Sequence, residues 1–185
     1  GRASADPTSR HHPHPGNDSR AAVLSVFGLG YVGCVSAACF AARGHRVIGV
    51  DVNPSKTRFL REGKAPVIEE RIGDLTAGVV ASGMLDVDDD ARRAVRESDI
   101  TIVCVGTPSG SGGGLSTVHL RSASEEIGAA LRDKDDWHVV VYRSTMVPGT
   151  CEDVLIPILE RASGKRVGVD FGVCVNPEFL REGSS

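Results

Sequence analysis

The residues best able to do chemistry begin with Gly28-Leu29-Gly30-Tyr31-Val32-Gly33, set between the apolar run Val23 to Phe27 and a helix-compatible segment of small residues, Val32 to Arg43. A glycine-rich turn that leaves a strand and opens a helix is built to hold a pyrophosphate. Gly28 allows the tight turn, Gly30 lets the backbone come close to the phosphates, and Gly33 lets helix and strand pack closely. The free N–H groups of the helix start point at the anion, and the helix dipole favours its charge. A second apolar run, Arg46 to Val50, ends at Asp51, about 20 residues past the motif. A carboxylate there can accept both ribose hydroxyls of an adenosine and repels the extra phosphate of NADP, so NAD is the expected cofactor. Lys56 is close enough in sequence to reach the same ribose or to tolerate a phosphate. The bland alternative, a glycine turn followed by a helix-capping Asp, does not account for the joint spacing and context. The chain is expected to bind NADH more tightly than NADPH.

Three further segments carry hydroxyl, carboxyl and backbone groups just after apolar runs. Ile100 to Val105 leads into Gly106-Thr107-Pro108. Val139 to Tyr142 leads into Arg143-Ser144-Thr145-Met146-Val147-Pro148-Gly149-Thr150. Val173 to Val175 leads into Asn176-Pro177-Glu178-Phe179-Leu180-Arg181-Glu182-Gly183. Each sits at the carboxyl end of a predicted strand, the edge where an open doubly wound sheet takes its ligands. Taken singly, Glu178 also reads as an acid favouring a helix dipole, Glu182 as a solvated charge and Thr145 as a cap.

The elements that must position these groups alternate. Helices are predicted from Asn53-Pro54 to about Glu62, with Pro54 in the first turn, and from Ile68 to Ser82, on the spacing of Ile72, Leu75 and Val79. Met84 to Val87 reads as a short strand, Asp89 to Glu97 and Thr117 to Leu131 as helices, and Gly110 to Gly114 as a flexible loop. Pro148 to Arg161 is mostly helical, with a kink or break expected at Pro157. Strand and helix alternate about six times, which gives an α/β Rossmann-type doubly wound parallel sheet with right-handed crossovers and helices on both faces. Residues 21–185 form this domain, and Gly1 to Arg20, rich in Ser, Pro, Asp and His, reads as a disordered leader. His11, His12 and His14 in it are interrupted by Pro13 and Pro15, and no metal site is expected.

Composition removes other classes. A net charge of -3 and 4% aromatics give a nucleic acid nothing to bind. No apolar run approaches the roughly 20 residues of a membrane span. Cys34, Cys39, Cys104, Cys151 and Cys174 form no CxxC pair, which argues against a disulfide framework or zinc site and suits a reducing cytoplasm. Cys104 and Cys174, in apolar runs, are expected to be buried and inert.

The four motifs in this order resemble the UDP-glucose/GDP-mannose dehydrogenase family, N-terminal NAD-binding domain, over about Ala22 to Gly183. The stretch from Ser163-Gly164-Lys165 to Asp170-Phe171-Gly172-Val173 is most similar to the GDP-mannose 6-dehydrogenase branch. The resemblance implies a cytoplasmic enzyme that oxidises a nucleotide sugar at C6 from alcohol to carboxylate in two NAD-dependent steps, through an aldehyde and a cysteine thioester. It places Tyr31, Val32, Asp51, Lys56, Thr107 and Thr145 against NAD, and Glu178 and Glu182 near sugar and nicotinamide. The chemistry agrees with these placements: an alcohol losing hydride needs a base for its proton, and Glu178, with Thr145 holding a water, can serve, while Glu182 orients substrate. The family's nucleophilic cysteine and its substrate lysine and asparagine belong to a later part, beyond Ser185, together with a long helix through which members form homodimers. Glu69 is followed by Glu70-Arg71-Ile72-Gly73 where the family has a Pro-Gly pair, so no cofactor contact is assigned there. By itself the chain should bind NAD without turning over substrate. A 3-hydroxy acid dehydrogenase on the same scaffold and a stand-alone NAD-binding or regulatory module are the competing readings.

Overall fold

A computed structural model describes residues 21–65, 70–108 and 115–178. The leader, the start of the helix expected from Ile68, the Gly110 to Gly114 loop and Glu182 lie outside the described residues. The strands are β1 (Val23–Phe27), β2 (Arg46–Val50), β3 (Leu85–Asp88), β4 (Ile100–Val103), β5 (Val139–Tyr142) and β6 (Gly172–Val175), joined in one parallel sheet of order β3-β2-β1-β4-β5-β6. The order reverses between β1 and β4, and the two connections leave on opposite faces, which opens a crevice at the carboxyl edge. Register aligns that edge: Phe27 pairs with Val50 and with Val103, Val103 with Tyr142, and Tyr142 with Val175. The residues that follow this row, among them Gly28, Asp51, Cys104, Arg143 and Asn176, therefore emerge along one rim.

The helices are α1 (Tyr31–Ala42), α2 (Pro54–Arg61), α3 (Glu70–Ala81), α4 (Ala91–Glu97), α5 (Val118–Leu131) and α6 (Ile156–Ser163). Their apolar stripes build two cores, one per sheet face. Val26, Val47, Leu85 and Ile102 pack with Ala37, Ala38 and Ala41 of α1, Leu60 of α2 and Val79 of α3. Phe27, Ile48, Val103 and Tyr142 pack with Val95 of α4, Leu120 and Ile127 of α5 and Leu159 of α6. Each fully buried large aliphatic contributes roughly 1.5–3 kcal/mol. The alanine face of α1 lets that helix lie close to the sheet, which sets where its N-terminus points. Asn53 caps α2, its side chain accepting from Ser55 N–H at 2.9 Å, and Asp90 caps α4 from Arg92 and Arg93 N–H.

Two expectations are corrected. Pro157 does not break its helix. A π-helical turn, Cys151–Leu155, precedes α6, and Ile156 N–H donates to Cys151 C=O. The wider turn brings Pro157 into the first turn of α6, where its missing N–H costs nothing. Cys174 is exposed rather than buried, on β6, which ends the sheet among the described residues. Cys104 is half-buried and Cys151 buried.

Candidate functional site

The first glycine of the turn has φ +89°, a left-handed conformation that side chains avoid, and a Cβ there would stand 2.9 Å from the Cys104 carbonyl and Val105 nitrogen. At Gly33 a Cβ would fall 1.7 Å from Gly28 O, so the start of α1 rests directly on the turn. A Cβ on Gly30 would meet nothing within 4 Å. The turn is thus closed on its protein side and open on the side a phosphate would take. Gly30 is the N-cap of α1, no side chain caps it, and no acid lies in the first turn. No acid of α1's own first turn competes there for an anion.

Asp51 does more than the sequence suggested. Its Oδ2 accepts from Leu29 N–H at 2.7 Å and its Oδ1 from Asn53 N–H at 2.8 Å, so the carboxylate also fastens the glycine turn to the end of β2. Lys56 Nζ stands 3.7 Å from Oδ2, and the Asp51 side chain is 7% exposed. Each oxygen keeps a further acceptor position for a ribose hydroxyl.

A cleft of about 480 Å³ lies over this rim, within the size range of nucleotide sites. Gly28, Gly30, Tyr31 and Val32 line one side, Asp51 and Lys56 the β2 end, and Cys104, Val105, Gly106 and Pro108 the β4 end. Val52, 89% exposed, offers an apolar face beside Asp51. The remaining wall is a stripe of α5, His119, Ser122, Ala123 and Glu126, which the sequence reading missed. Their helical spacing, offset from buried Leu120, Ile127 and Leu131, was the available signal. A second hollow, about 320 Å³ by Arg46, Arg61 and Asp86, lies away from all of these groups at the β3 edge.

Thr107 is half-buried beside the cleft-lining Gly106 and Pro108. Thr145, exposed, lies beyond β5, where Ser144 Oγ anchors the loop by donating to Val105 C=O at 2.7 Å. Glu178, half-buried, follows β6, where Arg143 Nη1 reaches Asn176 Oδ1 at 3.4 Å. Cys104 ties this second cluster to the cleft. Its thiol is pushed up to about 12, chiefly by burial, with Arg143 lowering and Glu178 raising it.

The glycine turn, the acid at the end of β2 and the crevice at the strand reversal fit a dinucleotide, and comparison with known proteins decides which kind. A model described as "UDP-glucose/GDP-mannose dehydrogenase family, NAD binding domain" matches residues 22–185. The chain belongs to this family. Its cofactor is NAD. GDP-mannose 6-dehydrogenase of Pseudomonas putida is 50% identical over 162 residues, covering 88% of this chain and 37% of the relative. A solved ternary complex of GDP-mannose dehydrogenase from Pseudomonas aeruginosa superposes with a TM-score of 0.84 at 48% identity, over 86% of this chain and 36% of that one. A UDP-glucose dehydrogenase from Pyrobaculum islandicum gives 0.84 at 42% identity, over 91% and 38%. The chain therefore spans little more than a third of the length of these UDP-glucose/GDP-mannose dehydrogenase relatives. Among the described residues no helix is long and apolar enough to cross a membrane.

Proposed function

We propose that this domain holds NAD for a nucleotide-sugar 6-dehydrogenase that carries a sugar C6 alcohol to a carboxylate in two oxidations. The cleft supports this reading above all, because its open Gly30 face, its uncapped helix start and Asp51 stand in the order in which pyrophosphate and adenosine ribose would meet them. Gly28, Gly30, Tyr31, Val32 and Gly33 hold the pyrophosphate end, and Asp51 and Lys56 the ribose. Thr107 and Thr145 flank the nicotinamide end. NAD supplies a hydride acceptor for each of the two oxidations.

The other steps fall to side chains. Glu178 takes the hydroxyl proton, directly or through a water that Thr145 orients, and later activates the water that hydrolyses a thioester. Glu182 orients the sugar. The thioester needs a thiolate, and Cys104 is kept protonated by its burial. The nucleophile belongs to the part of the enzyme not covered here, as do the contacts that choose GDP-mannose or UDP-glucose. The higher identity to GDP-mannose enzymes, 48–50% against 42% for a UDP-glucose dehydrogenase, favours the first sugar. The same reading makes the whole protein a cytoplasmic homodimer, with the domain boundary near residue 21 supported by a family match that starts at 22.

The test is a substrate panel on the full-length protein, following NADH formation with GDP-mannose and UDP-glucose. Neither sugar giving two NADH per sugar would overturn the proposal. In that protein Glu178→Gln is expected to slow turnover by about 10²- to 10⁴-fold, the usual worth of a general base, with NAD affinity within about twofold. Unchanged turnover would remove Glu178 from the mechanism.

A further inference from the structure

Asp51 by itself does not settle which dinucleotide the cleft accepts. Both of its oxygens already take a backbone N–H, and Lys56 Nζ lies 3.7 Å from one of them. The ammonium offsets part of the carboxylate's field on a nearby phosphate. The Lys56 side chain is 38% exposed, so it also presents a cation where an adenosine 2′-phosphate would come. An Asp–Lys pair of this kind repels such a phosphate weakly.

The sign of the cleft is then set by its other charges. Among the described residues that line it, these lie on α5, where His119 and Glu126 stand two helical turns apart on the stripe facing the cleft. Apart from Asp51, Glu126 is the only carboxylate among the described residues that line the cleft. Its side chain is exposed and lines the cleft. We propose that Glu126 is a second specificity-determining residue, which excludes the 2′-phosphate of NADP from the cleft it shares with Asp51. The inference rests on the cleft being the NAD site. A 2′-phosphate carries nearly two negative charges. Placed within about 8 Å of a carboxylate in a solvated cleft, it loses roughly fivefold in affinity, and more where the dielectric is lower.

The test titrates this chain at pH 8 and low salt with NADH and NADPH by nicotinamide fluorescence. In parallel, AMP and adenosine 2′,5′-bisphosphate are titrated by calorimetry, since these carry the adenosine half alone. E126Q keeps the size and helix preference of the side chain and removes its charge. It is expected to raise affinity for NADPH and for the bisphosphate about five- to tenfold, with NADH and AMP within twofold, and high salt should shrink the difference. K56A should move NADPH the opposite way. If E126Q leaves the NADH to NADPH ratio unmoved while NADH still binds, the inference fails and the NAD site stands. If the wild-type chain takes up neither NADH nor AMP, both fail.

Discussion

Gly30→Ala is expected to leave the thermal midpoint within about 2 °C of the wild type while weakening NADH binding roughly 10- to 100-fold. Gly33→Ala is expected to lower the midpoint by at least about 6 °C as well as to weaken binding. The two substitutions add the same methyl group to the same turn and separate its two faces. At Gly30 the backbone has φ -74°, which alanine adopts freely, and the new Cβ meets no protein atom within 4 Å. The fold gains nothing to avoid, and the methyl occupies the space a phosphate needs against the N–H groups of α1. At Gly33 the Cβ would sit 1.7 Å from Gly28 O, far inside contact, with Cys104 Cβ at 3.3 Å behind it. An overlap this deep lies at the upper end of overpacking costs, about 3 kcal/mol or more, because turn and helix must part, and each kcal/mol moves the midpoint by roughly 2–4 °C at this size. Melting curves with and without NADH, together with a fluorescence titration, check both. Gly30→Ala binding NADH as the wild type does would show that the dinucleotide does not rest on this turn.

Most of this architecture is written in local patterns. Buried parallel strands are largely apolar, so Val23–Phe27 and Val139–Tyr142 announce themselves, and Gly30, Asn53 and Asp90 mark where α1, α2 and α4 begin. The rim is legible for the same reason, since groups that follow strands must gather at the carboxyl edge. What escaped depends on neighbours remote in sequence. The π turn before Pro157 answers to packing of α6 on α5, and Cys174 is exposed on a strand that ends the sheet among the described residues. The wall formed by His119, Ser122 and Glu126 carries no motif, because facing a cleft and facing open solvent call for the same polar residues. The anchoring of the glycine turn by Asp51 was hidden behind its ribose role, as one carboxylate has lone pairs for both.

The stability of the domain is expected to fall as pH drops from about 6.5 towards 4, by up to about 3 kcal/mol from one buried side chain. His138 lies just before β5 with no exposed surface. Its Nδ1 is 3.1 Å from Ser98 C=O and must carry the proton, which leaves Nε2 to accept from the Thr101 hydroxyl at 2.8 Å. Thr101 Oγ1 then accepts from Ser25, at 2.7 Å, and Ser25 from Ser98, at 3.0 Å. The ring, three hydroxyls and one carbonyl close a cycle in which every hydroxyl donates once. A second proton on His138 removes the acceptor that Thr101 needs. Burial, and then the Lys134 ammonium, which donates to Ser98 C=O at 2.8 Å, push the imidazole down to about 4, while the Ser98 carbonyl and the Asp99 carboxylate oppose them. The folded value lies below the unfolded one, so between them the unfolded chain binds more protons. Stability is complete above the unfolded value and is lost as pH falls through that window. At roughly 2–4 °C per kcal/mol the midpoint should drop about 6–12 °C from this group. His138→Gln can keep the acceptor for Thr101 and cannot titrate. It should start less stable at pH 7 and show a flatter midpoint-against-pH curve between 6.5 and 4. Carboxylates held low by cation partners, such as Glu97 beside Arg93, act in both proteins and cancel in the comparison. Parallel curves for the two proteins would mean that His138 takes up its proton without disturbing the cycle.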